Sequence, residues 1–268
     1  MTDIPFYWLD IFTESKFKGN PAAVCILEDD LDDETYQNIA SELDLSETAF
    51  PINTGPSEYS MRYFTPFKEQ FLCGHATMGT AYTLVHEYGE KSPIKFHTIS
   101  GEIKVEVNEN KVTLNFPIWT MSKTDNKEVA ETLGVKDYEE MYVGDTVPYI
   151  MIVLKNKKQV EQVDPDFRAF KEYCVSNNLG GGGVAAKGDG EYDYVLRAFG
   201  SAMGVDEDPG TGIAQCLIAP YWGKKLGLKV LRVGQLSERG SEMTVELLED
   251  GIRITGSATP LIKGILTI

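Results

Sequence analysis

Apolar and polar residues alternate along many short segments of this chain, a pattern typical of β-strands that bury one face. The strands predicted in the first half cover 6–11, 22–27, 48–52 and 59–64, with two more that end near Phe116. Those predicted in the second half cover 147–154, 192–199, 229–234, 243–248 and 252–255. The polar residues 117–126 are typical of a linker, and a glycine-rich loop is predicted over 180–183.

Four segments are predicted as helices. Two of them, 33–43 and 165–176, are ordinary helices, and Asp32 or Asp33 is the expected N-cap of the first. The other two, 74–88 and 212–226, carry small or apolar residues on nearly every face, as a helix buried on all sides does. A central helix wrapped by a curved sheet is therefore predicted once in each half of the chain.

The two buried helices belong to an internal repeat with an offset of about 138 positions. Four small residues coincide: Gly74 with Gly212, Ala76 with Ala214, Ala81 with Ala219, and Gly89 with Gly227. An Arg-x-Phe strand precedes each helix and a pair of strands follows it. Chance is the alternative, since Gly and Ala are common, but the shared order favours duplication. Two related halves are predicted, 1–118 and 119–268, and the last strand could return to the first half.

The composition is that of a globular protein, with 42% hydrophobic and 25% charged residues. A net charge of −16 repels phosphate backbones and argues against a nucleic-acid partner. No apolar run approaches the roughly 20 residues of a membrane-spanning helix, and no signal-peptide pattern opens the sequence. Four cysteines without C-x-x-C spacing favour a reduced setting, so we expect a cytoplasmic protein that contacts no membrane.

Two residues near the first buried helix could carry acid/base chemistry. Glu47 lies between Leu45 and Phe50, where partial desolvation suits a carboxyl group to proton transfer; alternatively it is an ordinary surface residue in a turn. His75 falls in the first turn of the helix, whose positive end favours a neutral, hydrogen-bonding imidazole; alternatively it only completes the helix start. His86 and His97 are expected at the surface.

The second buried helix has a glycine-rich entrance, Asp208-Pro-Gly-Thr211-Gly212. Its exposed backbone could hold a carboxylate, or Asp208 could simply be the N-cap of the helix. His and Cys residues with metal-ligand spacing are absent from the sequence, as are phosphate-loop, nucleophile-elbow and dinucleotide motifs. These absences argue against a metal site and a nicotinamide cofactor.

Seven stretches together resemble the phenazine-biosynthesis PhzF-like family and span essentially the whole chain. They are Asp10-Ile-Phe12, Gly19-Asn20-Pro21-Ala22-Ala23-Val24, Leu45-Ser46-Glu47-Thr48-Ala49-Phe50, Phe64-Thr65-Pro66, Leu72-Cys73-Gly74-His75-Ala76-Thr77, Glu207-Asp208-Pro209 with Thr211-Gly212, and Pro220-Tyr221-Trp222. The resemblance implies the α+β diaminopimelate epimerase-like fold: two pseudo-symmetric halves, each with a barrel-like, mostly antiparallel sheet around a central helix. It also implies a homodimer without metal or cofactor.

The resemblance further implies an isomerase that moves a proton and double bonds in a small cyclic carboxylate, as in the isomerisation of trans-2,3-dihydro-3-hydroxyanthranilate. Glu47 matches the proton carrier, and His75 and Asp208 match residues that assist it and bind substrate. The remaining predicted substrate-binding residues flank these motifs: Asn20, Ser46, Cys73, Gly74, Thr211, Gly212 and Ile213.

The chain departs from the family where Ile213 replaces the usual Ser and Gln215 stands where His is frequent, which bears on the substrate more than on the proton chemistry. A racemase or epimerase with one thiol in each half is an alternative, but the repeat partner of Cys73 is Thr211. A third interpretation is a non-catalytic binding protein. The presence of Glu47, His75 and Asp208 together argues against it.

Overall fold

The structure, a computed structural model, describes residues 2–268 and forms two units. Unit 1 contains the residues up to Asn115 together with Thr255–Ile268, and unit 2 contains Phe116–Ile254. The elements before residue 117 are β1 Asp3–Ile11, β2 Asn20–Cys25, α1 Asp33–Leu43, β3 Glu47–Gly55, β4 Glu58–Phe64, β5 Glu69–Gln70, α2 Gly74–Tyr88, β6 Ile94–Thr98, β7 Gly101–Asn108 and β8 Lys111–Phe116. Those that follow are β9 Met121–Thr124, α3 Lys127–Thr132, β10 Glu140–Gly144, β11 Tyr149–Val153, α4 Lys157–Glu161, α5 Phe167–Ser176, β12 Gly181–Lys187, β13 Tyr194–Gly200, a 3-10 turn Ser201–Met203, β14 Val205–Asp208, α6 Gly212–Leu226, β15 Val230–Gln235, β16 Ser241–Leu247 and β17 Ile252–Thr267.

The sheet of unit 1 is mostly antiparallel, with two parallel pairs. β1 pairs antiparallel with β2 and with the second part of β17, in a register that places Asp3 opposite Thr267. β2 and β3 are parallel, as are β4 and β6, whereas β3–β4, β4–β5, β6–β7 and β7–β8 are antiparallel. The parallel pairs arise because α1 connects β2 to β3 and α2 connects β4 to β6.

The sheet of unit 2 repeats this pattern of pairing. β11 and β12 are parallel around α4 and α5, and β13 and β15 are parallel around α6. The pairs β10–β11, β12–β13, β13–β14 and β15–β16 are antiparallel. The same order of parallel and antiparallel pairs in both units confirms the predicted fold of two similar halves, each with a mostly antiparallel, barrel-like sheet.

The central helix of each unit is buried, as its composition predicts. In α2, nine residues from His75 to Leu84 are buried, and the helix packs on β1, β2, β3 and β7. In α6, eight residues from Ala214 to Gly223 are buried, against β12, β15 and β16. Both helices end at a left-handed glycine, Gly89 and Gly227, each with a φ of 70°. In neither helix does the side chain of the N-cap residue, Cys73 or Thr211, accept a hydrogen bond from the N–H groups of the first turn.

Three predictions about elements were wrong. The segment 180–183 is not a loop, because β12 begins at Gly181. A Cβ on Gly181 would stand 2.4 Å from the Phe199 carbonyl oxygen, and one on Gly183 would stand 2.7 Å from that of Arg197. The glycines therefore permit close strand packing rather than a flexible turn.

The other two corrections concern strand extent. The predicted linker 117–126 contains β9, which pairs with β10 through Met141 and Thr124. The predicted strand 252–255 is only the start of β17, which continues to Thr267 and supplies the partner of β1. Asp32 is the N-cap of α1, since its side chain accepts from the Thr35 N–H, in agreement with prediction.

Candidate functional site

The start of α2 is surrounded by residues from the starts of two strands. Cys73 is the N-cap of α2, and Gly74 and His75 are its first two residues. Asn20 is the first residue of β2, and Glu47 is the first residue of β3. Because these strands are parallel and paired with Ala22 opposite Glu47, both strand starts lie at the same edge of the sheet.

His75 is the centre of the resulting cluster. Its Nε2 lies 3.5 Å from Glu47 Oε2 and 3.3 Å from Ser46 Oγ. Its Nδ1 lies 3.4 Å from the side-chain nitrogen of Asn20. The imidazole is therefore held between a carboxylate on one side and an amide on the other. The side chain of Glu47 is 19% exposed, so its carboxylate is partly desolvated but still accessible.

The thiol of Cys73 lies beside the imidazole ring rather than at the end of it. Its sulfur is 3.3 Å from Nδ1 and 4.0 Å from Nε2 of His75. If the sulfur lay on the lone-pair axis of Nδ1, its distance to Nε2 would exceed its distance to Nδ1 by nearly the full separation of the two nitrogens. The thiol therefore does not occupy the position that an in-plane hydrogen-bond partner of Nδ1 requires.

Glu47, Cys73 and His75 offer oxygen, sulfur and nitrogen donors that all lie within 4.8 Å of one another. These are ligand types that soft divalent cations accept. The expectation that no metal and no cofactor takes part stays a prediction.

The start of α6 is organised by hydrogen bonds within its own loop. Asp208 Oδ1 accepts from the Gly210 N–H at 3.2 Å, and Asp208 Oδ2 accepts from the Thr211 hydroxyl at 2.7 Å. Gln235 completes the turn, because its Oε1 accepts from the Thr211 N–H at 2.8 Å and its Nε2 donates to the Thr211 hydroxyl at 3.0 Å. Asp208 thus holds the turn that presents Gly212 at the helix start.

Several residues that support this turn carried no signal in the sequence. Gln235 comes from β15, and Ser237 and Ser241 both donate to the Pro209 carbonyl. Gln215 is fully buried, donates to the Thr211 carbonyl at 3.0 Å and accepts from the Tyr194 hydroxyl. Nothing local in the sequence marks such long-range partners, since each polar side chain has many possible neighbours.

Two further residues, Ile213 and Tyr149, lie at the start of α6 or close to the charge of Asp208. Ile213, the second residue of α6, is 37% exposed and places an apolar side chain at the helix start. Tyr149 lies buried in the same unit, and burial, followed by the nearby charge of Asp208, raises the pKa of its hydroxyl well above the usual range. Tyr149 therefore stays neutral at any physiological pH.

The structure brings the predicted residues together as two groups. Asn20, Ser46, Glu47, Cys73 and His75 form one group at α2. Asp208, Thr211, Gly212 and Ile213 lie in sequence at the entrance of α6. That both groups serve one substrate stays a prediction. His86 and His97 are exposed, as predicted.

A duplicated, mostly antiparallel fold with one buried helix in each half defines the diaminopimelate epimerase-like class. The chain belongs to the phenazine biosynthesis-like (PhzC-PhzF) family, whose profile matches residues 9–264. An uncharacterized isomerase of Halalkalibacterium halodurans is 35% identical over 276 residues, with 100% of each chain covered. A crystal structure of a PhzF-family phenazine biosynthesis protein from Enterococcus faecalis is 37% identical, covers 100% of both chains and superposes with a TM-score of 0.93.

A more distant likeness concerns the fold alone. A probable proline racemase from Agrobacterium radiobacter has a TM-score of 0.66 at 10% identity, covering 99% of this chain and 92% of its own. Together the relatives support an isomerase-type enzyme. Among the described residues, no helix is both long and apolar enough to cross a membrane. The expected homodimer and cytoplasmic location stay predictions.

Proposed function

We propose that this protein is a cofactor-independent isomerase that moves a proton, and with it double bonds, within a small cyclic carboxylate. The observation that carries the proposal is the contact of Glu47 with His75 at the entrance of α2, where Nε2 and Oε2 are 3.5 Å apart. A carboxylate that is accessible, partly desolvated and held by a hydrogen-bonding ring is suited to take a proton from carbon and return it.

In the proposed reaction, Glu47 removes a proton from one carbon of the substrate, the double bonds shift, and the same carboxyl group returns the proton to another carbon on the same face. The substrate and product have the same atoms, so the reaction needs no further reactant. One carboxylate suffices for such a transfer. A racemase with opposed thiols is not supported, because Cys73 and Thr211 are the equivalent N-cap residues of α2 and α6 and only one is a thiol.

The start of α6 is suited to bind a carboxylate group. Helix starts offer free N–H groups and a positive dipole end, and α6 has neither a side-chain cap nor an acidic residue in its first turn. In this proposal Asp208 acts by fixing the turn through Gly210 and Thr211. The exposed Ile213 favours a substrate with an apolar edge next to its carboxylate.

The test is isotope incorporation from heavy water. With trans-2,3-dihydro-3-hydroxyanthranilate as the substrate, the wild type is expected to place deuterium on carbon and to shift the double bonds, as followed by NMR and absorbance. Glu47→Gln keeps the size of the side chain but removes the proton-carrying group, so its rate is expected to fall by at least about 100-fold.

Glu42→Gln is the matched control, since Glu42 is an exposed residue of α1. It is expected to retain the wild-type rate, and all three proteins are expected to share one circular dichroism spectrum. Full turnover by Glu47→Gln would remove Glu47 from the mechanism. Absence of turnover by the wild type would exclude this compound as the substrate.

A further inference from the structure

Asn20 is a fully buried amide that faces the catalytic imidazole. Its side chain has 0% exposure and reaches His75 Nδ1 through its nitrogen, at 3.4 Å. Its oxygen lies 3.2 Å from the hydroxyl of Ser46. Asn20 therefore contacts Nδ1 of His75, whereas Glu47 lies near Nε2, and the Asn20 amide is shielded from solvent.

The hydrogen-bonding groups around the ring favour one orientation of the amide. With the Asn20 oxygen toward Ser46, the serine hydroxyl donates to it and the Asn20 N–H donates to Nδ1, which must then be unprotonated. The proton of a neutral imidazole then resides on Nε2, which lies 3.5 Å from Glu47 Oε2 and 3.3 Å from Ser46 Oγ.

The flipped amide gives a worse set of contacts. Its oxygen would face Nδ1 and require a proton there, while the Ser46 hydroxyl would donate to the Pro21 carbonyl 3.1 Å away or to Nε2 3.3 Å away. The lone pair of Nε2 would then face the ionised carboxylate of Glu47, acceptor against acceptor. Only the first orientation places a ring proton on Nε2, the nitrogen that lies 3.5 Å from Glu47 Oε2.

The position of His75 in the helix also bears on the charge of the ring. The first turn of α2 brings the positive end of a helix dipole to His75, which disfavours the imidazolium ion. The sulfur of Cys73 lies beside the ring, 3.3 Å from Nδ1 and 4.0 Å from Nε2, and the Asn20 nitrogen lies 3.4 Å from Nδ1. Donation from Asn20 also opposes the second protonation, because Nδ1 cannot both accept and carry a proton.

We propose that Asn20 is a positioning residue that fixes His75 as the neutral Nε2–H tautomer, so that His75 donates a hydrogen bond to Glu47 and holds it ionised and aimed at the substrate. This inference rests on the proposed function for its catalytic consequence, whereas the tautomer itself is a property of the resting protein. Ser46 acts one step further out, because it orients the amide.

The decisive measurement is the protonation pattern of His75 in the uniformly 15N-labelled wild type, read from long-range proton–nitrogen correlations near pH 7.5. The chain has three histidines, so a His75→Gln sample identifies the signal. The expected result is one protonated nitrogen at Nε2 and one unprotonated at Nδ1. Observation of the Nδ1–H tautomer, or of an imidazolium ion, would overturn the proposal without any variant.

Variants then separate positioning from packing. Asn20→Asp replaces the donor by an acceptor of nearly equal size, so His75 is expected to carry a proton on Nδ1. With trans-2,3-dihydro-3-hydroxyanthranilate as substrate, kcat is expected to fall about 100-fold or more, while KM changes less than about threefold because Asn20 is 0% exposed and acts through His75. Asn20→Ala is expected to leave a mixture of tautomers and an intermediate kcat.

Ser46→Ala serves as a second test if either Asn20 variant folds poorly. Loss of the hydroxyl frees the amide to flip, so a minor Nδ1–H population is expected in the same spectra. An unchanged Nε2–H signal in both Asn20→Ala and Ser46→Ala would contradict the proposal. The tautomer is read without turnover, so a failed proposed function and a failed inference give different results.

Discussion

Burial makes three of the four cysteine thiols unreactive toward reagents in solution. It raises the pKa of Cys25 and of Cys216 to about 12, and that of Cys174 to about 11. The thiolate is the reactive form, and its fraction near pH 8 is very small for a thiol with such a pKa.

These three cysteines are therefore expected to resist iodoacetamide at pH 8 in the folded protein and to react fully after unfolding in urea. Peptide mass spectrometry before and after unfolding measures the extent of labelling at each position. Labelling of Cys25 in the folded state at the rate found in urea would show that its site opens, against the burial described here.

At the residue scale, the sequence predicted the candidate residues at the starts of α2 and α6 but not Gln235, which supports the turn at α6. Glu47 and His75 stand out in the sequence because each lies at the start of a regular element, beside an apolar strand or a glycine. Gln235 could not be found in this way, since it reaches Thr211 from 24 positions away and resembles any surface glutamine in the sequence.

The glycines that end elements differ sharply in what surrounds them. Gly89 and Gly227 end α2 and α6 with a φ of 70°, and a Cβ at either position would meet nothing within 4 Å. Gly19, just before β2, has a φ of 67°, and its Cβ would stand 2.2 Å from the carbonyl oxygen of Ile11.

Substitution by alanine is expected to follow this difference. Gly89→Ala and Gly227→Ala impose only the left-handed conformation, which costs about 1–2 kcal/mol. Gly19→Ala adds a clash with backbone and is expected to cost about 3 kcal/mol or more. Urea unfolding followed by circular dichroism gives the three free energies. Equal stability of the Gly19 and Gly89 variants would contradict the packing around β2.

Elements were predictable where one strong pattern dominates, as in α2, whose all-round apolar surface fits only a buried helix. They were not predictable where packing overrides propensity. β12 opens with three glycines and still forms a strand, because Phe199 and Ile150 approach too closely for any side chain. In α6, Pro220 has no N–H to donate to the Cys216 carbonyl. That carbonyl accepts from the Trp119 N–H instead.

Across the whole molecule, the duplication extends to two ion pairs of the same geometry. Arg62 of β4 donates from Nε to Glu69 at 2.6 Å and lies 5.1 Å over the ring of Phe64. Arg197 of β13 donates from Nε to Glu207 at 2.7 Å and lies 5.3 Å over the ring of Phe199. The Arg-x-Phe repeat seen in the sequence thus marks an equivalent clamp in each unit.

The two clamps are expected to differ in strength because their exposure differs. The side chain of Arg197 is 12% exposed and that of Arg62 is 28% exposed, and Arg197 also donates to the Val163 carbonyl at 2.6 Å. Arg197→Ala is expected to cost about 3 kcal/mol, and Arg62→Ala about 1 kcal/mol.

Thermal and urea unfolding measure this difference. Arg168→Ala is the control in unit 2, because the Arg168 side chain, which pairs with Glu172, is 89% exposed. This substitution is expected to change the free energy of unfolding by less than about 0.5 kcal/mol. An Arg197 variant as stable as the Arg168 variant would show that the second clamp contributes nothing.

At this scale the sequence predicted the two related halves, because small residues recur in order along both. It could not predict where β17 goes, because strand pairing between distant segments leaves no local mark. Residues 252–255 alternate like any short strand, yet the strand continues to Thr267.

The path of β17 also bears on how the protein is made. Unit 2 is one continuous segment, Phe116–Ile254, whereas β1 of unit 1 pairs with Thr267, 264 positions after Asp3. A ribosome adds about 5–20 residues per second, so β1 emerges on the order of 15–50 s before this partner does. Unit 1 thus begins before unit 2 along the chain but is completed after it, and the edge of β1 that pairs with β17 is available to chaperones throughout that interval.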